Sequence, residues 1–138
     1  MTRHNQKRMT KMTNVPVIIG VGDIANRSPS IENAREPLEL ILQAINTALD
    51  DTSLDKQKQE ALTSQVNSIS VVRTWTWPYA DLPGLIYNKL SVKPHHKLYS
   101  DHGGNQPAKL LDEAARSIAY GHAKVAIVTG GEALASCK

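Results

Sequence analysis

Five consecutive residues, Asp101, His102, Gly103, Gly104 and Asn105, stand directly before a helical stretch rich in alanine and leucine. A helix opens with amide N–H groups that have no partner inside it, and such an end holds phosphates, carboxylates and polarised carbonyl oxygens. Two glycines at the mouth let a ligand approach the backbone closely. The loop therefore has the make-up of a binding site for a carbonyl oxygen or an anion, although it holds no nucleophile. The same residues also read as a tight turn in which Asn105 caps the helix.

Other groupings carry less chemistry. Ser100-Asp101-His102 contains the three residue types of a hydrolase triad, but a triad converges from distant positions, and a G-x-S-x-G elbow is absent. Gly20-Val21-Gly22-Asp23-Ile24-Ala25 follows an apolar run in the pattern of a dinucleotide fingerprint. That pattern works only where a helix opens on the last residue. A polar loop containing Pro29 follows instead, so a strand-end turn is the stronger reading and a nicotinamide-dependent oxidoreductase the weakest. His95 and His96 are adjacent and point to opposite faces of an extended segment. His102 and His122 flank one helix at opposite ends, so no metal site is expected. Trp75-Thr76-Trp77-Pro78-Tyr79 could stack on a ligand or base, but without basic interleaving it fits better as cover for a sheet edge or a subunit surface.

These residues need elements to position them. Val15 to Asn26 begins with a β-branched run and ends in glycines, the pattern of a buried strand. In residues 36–51, Leu38, Ile41, Leu42, Ile45, Ala48 and Leu49 recur at spacings of three and four, which predicts a helix with Pro37 in its first turn. A polar link with a short helix leads to a second strand over 68–75. LPGLIYNKL predicts a short helix, and residues 95–100 a weak third strand. A helix over 106–120 follows, stopped by Gly121, with Leu111, Ala114, Ala115, Ile118 and Ala119 facing inward and deep burial expected. VAIVT within 124–133 is the clearest buried strand. Strands alternating with helices predict an α/β layer structure with a mostly parallel sheet.

The 138 residues are one domain's worth, with 41% hydrophobic and 21% charged residues, as in a globular protein. No apolar run is long enough for a membrane span. The net charge of +3 is concentrated in residues 1–14, where Arg3, Lys7, Arg8 and Lys11 stand without an acid. The remainder holds twelve basic against thirteen acidic residues, so no nucleic-acid partner is expected. The tail reads as a flexible basic extension, with a mitochondrial presequence as the alternative. A single cysteine, Cys137, excludes an internal disulfide, and the absence of a secretory signal points to an intracellular protein of unresolved compartment, whether cytoplasmic, mitochondrial or peroxisomal.

The loop, its helix and VAIVTGGEALAS together resemble the N-terminal domain of the thiolase superfamily, and His102-Gly103-Gly104-Asn105 is similar to the divergent proteins related to the sterol-carrier-type thiolases. Gly121 resembles the family's helix-ending glycine, Gly130-Gly131-Glu132 its Gly-Gly-x-Glu-like motif, and the first strand and helix their counterparts. The resemblance spans Val15 to Ser136 and implies a thiolase-like N-terminal half, truncated, with a mostly parallel sheet and a buried Ala-rich helix over residues 15–138. It implies acyl transfer from acyl-coenzyme A, with a coenzyme A thioester as ligand, no other cofactor, and Asp101 to Asn105 facing the thioester. Counting back from Gly121 puts the family's nucleophilic cysteine at Gly104, and its C-terminal half has no counterpart. The chain is therefore expected to be inactive alone, with non-catalytic acyl-CoA or lipid binding, or an interaction role, as the alternative. Surfaces left uncovered by the missing half would favour a homo-oligomer.

Overall fold

The computed structural model describes residues 11–93 and 95–134. Most of the basic tail, and Cys137, lie outside the described residues. In chain order the elements are α1 (Pro37–Asp51), α2 (Lys56–Ser64), β1 (Val66–Val71), α3 (Leu82–Leu90), β2 (His96–Tyr99), α4 (Gln106–Ala119) and β3 (Val125–Thr129).

β1 is the middle strand of a parallel sheet ordered β2-β1-β3. Ser68 pairs with His96 and Val71 with Tyr99 on one side, and Ile69 pairs with Ile127 and Val71 with Thr129 on the other. Parallel neighbours must be joined by a crossover. α3 makes the one from β1 to β2, and α4 the one from β2 back past β1 to β3. These crossovers run in opposite directions along the sheet, so the right-handed rule puts α3 and α4 on opposite faces.

The two faces differ. Ile69 and Val71, both 0% exposed, join Leu38, Ile41 and Ile45 of α1 and Leu82, Ile86 and Tyr87 of α3 in the main core. The alternating residues Ser68 and Ser70 are also buried and point to the opposite face, the side of α4. Their small side chains let that helix come close. The Tyr87 hydroxyl donates to the carbonyl of His96 at 2.6 Å, so the phenol anchors α3 to β2, and burial pushes its pKa up.

The helix ends follow local chemistry. Asp55 accepts from the Lys58 amide at 2.9 Å at the start of α2. Asp81 accepts from the Gly84 amide at 3.0 Å at the start of α3, and its other oxygen pairs with Lys97 of β2. The hydrogen bond from Lys97 lowers the Asp81 pKa. α4 stops where Gly121 takes a φ of +76°, the left-handed conformation that glycine adopts without strain. The Gly121 and His122 amides then close on the carbonyls of Ile118 and Ser117 at 3.0 and 2.8 Å.

Three expectations are corrected. Residues 15–26 form no strand, and Val15, Val17, Ile18, Ile19 and Val21 are exposed. The segment is tethered by the Thr13 and Asn14 amides to the Ala119 carbonyl at 2.9 and 3.2 Å and by the Val21 amide to Asp51 Oδ2 at 2.9 Å. Gly20 and Gly22 lie against the backbone of α1, where a Cβ would fall 2.1 Å from the Ala48 carbonyl oxygen and 2.0 Å from that of Ala44. A ladder requires a partner about 4.8 Å away. Here a cavity of about 560 Å³ separates the segment from β3, so no ladder closes.

α4 is likewise less buried than its composition predicts. Gln106, Leu110, Ala114 and Ala119 are buried, but Leu111 is 49% exposed. The helix meets β3 and β1 along one stripe, whereas Leu111, Ala115 and Ile118 line the cavity. The second strand also ends earlier than expected, at Val71, because the chain turns away from Arg73 onward.

The central position of Ile69 makes it the most informative core truncation. Ile69→Ala is expected to lower stability by about 3 kcal/mol, the usual cost of an isoleucine cavity, read as a fall in the urea midpoint at unchanged slope.

Candidate functional site

In open α/β sheets, ligands bind beyond the carboxyl ends of the strands. Three loops converge there: residues 72–81 after β1, 100–105 after β2 and 130–132 after β3. Together the first two enclose a cavity of about 340 Å³ lined by Arg73, Thr74, Trp75, Trp77, Tyr99 and His102, among others.

Each side chain is held by a specific contact. Arg73 Nε donates to the Ser100 carbonyl at 2.8 Å, its amide donates to Ser100 Oγ at 3.1 Å, and its guanidinium lies 4.1 Å from the centre of the Tyr99 ring. Buried Thr74 donates through Oγ1 to the Trp77 carbonyl at 2.7 Å and shares a 3.0 Å hydrogen bond with the Tyr99 hydroxyl. Trp75 stacks on His102, with ring centres 4.2 Å apart. Glu132, at the exit of β3, accepts from the Trp75 amide and from Thr76 Oγ1 at 2.6 Å. One carboxylate thereby fixes the turn that carries both tryptophans.

Tyr79 ties this loop to α1. Its hydroxyl donates to Glu36 Oε2 at 2.8 Å and accepts from the Leu38 amide at 3.1 Å, satisfying one of the open donors at the start of that helix. Burial, assisted by the Glu36 carboxylate, pushes the Tyr79 pKa up to about 12.

The residues singled out in the sequence separate in space. Of Asp101 to Asn105, only His102 lines the cavity. Asp101, His102, Gly104 and Asn105 are exposed, and Gly103 is half-buried. Asn105 makes no side-chain cap to α4, which removes the capping role expected of it. A Cβ at Gly104 would meet nothing within 4 Å, so a side chain fits there without displacing a neighbour. The Ser100 hydroxyl is buried, bonded to the Arg73 amide and donating to the Asp101 carbonyl at 2.7 Å, and so takes no part in a triad. Gly20 and Gly22 open no helix; their role is close packing on α1. Among the described residues, no group of three His, Cys, Asp or Glu side chains is placed to hold a metal ion.

Arg73, Thr74 and Tyr99 escaped the sequence reading. Their signal is position alone: each falls at or just after the carboxyl end of a strand, where a parallel sheet presents its side chains to ligands.

No family model and no curated protein sequence matches this chain. Among solved structures it is similar to a monomeric SCP2-thiolase like protein type 1 from Mycobacterium smegmatis, with a TM-score of 0.69 at 24% identity over 84% of this chain. The fold is thiolase-like. The chain spans 23% of that protein's length, so the thiolase-like architecture here, among the described residues a three-stranded parallel sheet with four α-helices, is a portion of the larger one. Among the described residues, no helix is long and apolar enough to cross a membrane.

The Tyr79 linkage has a definite sign. Because the folded pKa of about 12 lies above the ordinary 10.0, the neutral phenol is favoured by folding, and its contribution is fully present below pH 10. Stability is expected to fall as pH rises from 10 through 12. Denaturant titrations across that range should show the fall in the wild type, and Tyr79→Phe should remove this component of it.

Proposed function

We propose that this chain is the part of a thiolase-like, acyl-CoA-dependent protein that faces the acyl thioester, and that alone it binds the thioester without transferring the acyl group. The observation that carries this reading is the open position at Gly104, at the mouth of α4 and beside the three-loop cluster, in a thiolase-like fold. Of the amides that open α4, that of Gln106 is bonded to the Gly103 carbonyl at 3.1 Å, Pro107 has none and that of Lys109 is bonded to the Asn105 carbonyl, so the Ala108 amide is the donor left for a thioester carbonyl, and Asp101 to Asn105 would flank it.

Transfer requires a nucleophile that takes the acyl group from coenzyme A as a new thioester. Gly104 supplies none, and the Ser100 hydroxyl is engaged. The same loop therefore supports the second reading, a non-catalytic acyl-CoA or lipid-thioester binder, better than it supports catalysis by this chain.

Acetyl-CoA titrated by calorimetry into the wild type is expected to bind saturably and leave the protein's mass unchanged. Gly104→Cys puts a thiol at a helix start, where its pKa falls, and is expected to gain one acetyl group by mass spectrometry. Absence of saturable binding in both proteins, with folding intact, would overturn the reading.

Self-association accompanies the proposal, since Val17, Ile18, Ile19 and Leu111 leave apolar surface exposed. Light scattering is expected to give a mass above the 15.1 kDa of one chain; a stable particle of single-chain mass would contradict it.

A further inference from the structure

We propose that the cavity between the loops following β1 and β2 is a carboxylate site built on Arg73, and that it takes a flat, ring-bearing acid. The proposal rests on Arg73 and the aromatic residues around it, and shares only His102 with the thioester reading at the α4 loop.

The guanidinium is held in place before any ligand arrives. Tyr99 lies under its face at 4.1 Å, and Nε is bonded to the Ser100 carbonyl at 2.8 Å. The neighbouring amide is bonded to the same residue. Little side-chain freedom remains to be lost on binding, which favours affinity.

Its charge is not answered from within the protein. Among the described residues no carboxylate forms an ion pair with Arg73, and its two terminal amino groups make no hydrogen bond. The acids of the loop cluster are directed elsewhere: Glu132 holds the Trp75-Thr76 turn, and Glu36 accepts from Tyr79. Exposed Asp101 sits beside His102, outside the cavity lining. A guanidinium fixed at Nε presents its remaining donors as a planar fork, the geometry that matches a carboxylate.

The walls define the rest of the ligand. Trp75, Trp77, Tyr79, Tyr99 and His102 line a space of about 340 Å³, at the small end of ligand pockets. Aromatic faces of this kind receive a ring by offset or edge-to-face contact. Thr74 has its hydroxyl occupied, so among the lining side chains the Arg73 guanidinium is the cationic anchor beside the aromatic rings.

The test uses a built-in probe. Trp75 and Trp77 are the only tryptophans in the chain and both line the cavity, so intrinsic fluorescence reports its occupancy. Benzoate titrated at constant ionic strength is expected to change the emission saturably, and benzamide, its uncharged isostere, to bind at least about tenfold more weakly. Arg73→Met is expected to lose benzoate binding by about the same factor while leaving benzamide unaffected. Arg73→Lys, which keeps the charge but not the fork, should fall between them, and it serves as the test if the methionine variant does not fold. Equal binding of benzoate and benzamide, or benzoate binding unchanged by both substitutions, would overturn the proposal. Because acetyl-CoA and benzoate are read separately, either proposal can fail without the other.

Discussion

Everything at the site depends on β1 being paired in parallel on both sides. That arrangement forces two helical crossovers, places them on opposite faces, and brings the carboxyl ends of all three strands to one edge of the sheet. The loops that leave those ends have no choice but to meet. The core supports the same strand: Ile69 and Val71 hold it against α1 and α3, while Ser68 and Ser70 make room for α4.

Convergence alone would give three mobile loops. A few polar contacts of long sequence separation turn them into a fixed surface. Glu132 reaches from β3 to the turn after β1, Arg73 from that turn to Ser100 after β2, and Tyr79 from the same turn to the start of α1. Each bond joins elements that are far apart in the chain, so the order of the site is a property of the whole fold. Hydrogen bonds involving a charged partner are the stronger kind, and each of these three contacts has one.

The legibility of the chain in its sequence follows the range of the forces involved. α1, α3 and α4 were visible from apolar spacing, and Gly121 as a helix stop, because helix formation and capping are local. VAIVT was visible as a strand for the same reason, but its expected burial was not met: β3 is half-buried along its whole length, because its outer side faces the cavity. The run at 15–21 was misleading: β-branched composition reports a preference for extended backbone, but a strand exists only where a neighbour accepts its hydrogen bonds. Within α4, the inward stripe was assigned to Leu111 although the sheet is met by Leu110. Residues one apart on a helix differ by 100°, and only the packing partner chooses between them. At the site, the glycine loop could be seen from its sequence, whereas Arg73, Thr74 and Tyr99 could not. Nothing in an isolated arginine shows that a tyrosine ring will lie beneath it.

The outer side of β3 has a further consequence. One rim of this strand is paired with β1, and the other opens on a cavity walled by apolar side chains. Backbone amides and carbonyls on that rim have no strand partner among the described residues. Such an edge is a template for any extended backbone that reaches it. Under crowding, heating or drying, that open edge of β3 is a place at which disordered association of this protein can begin.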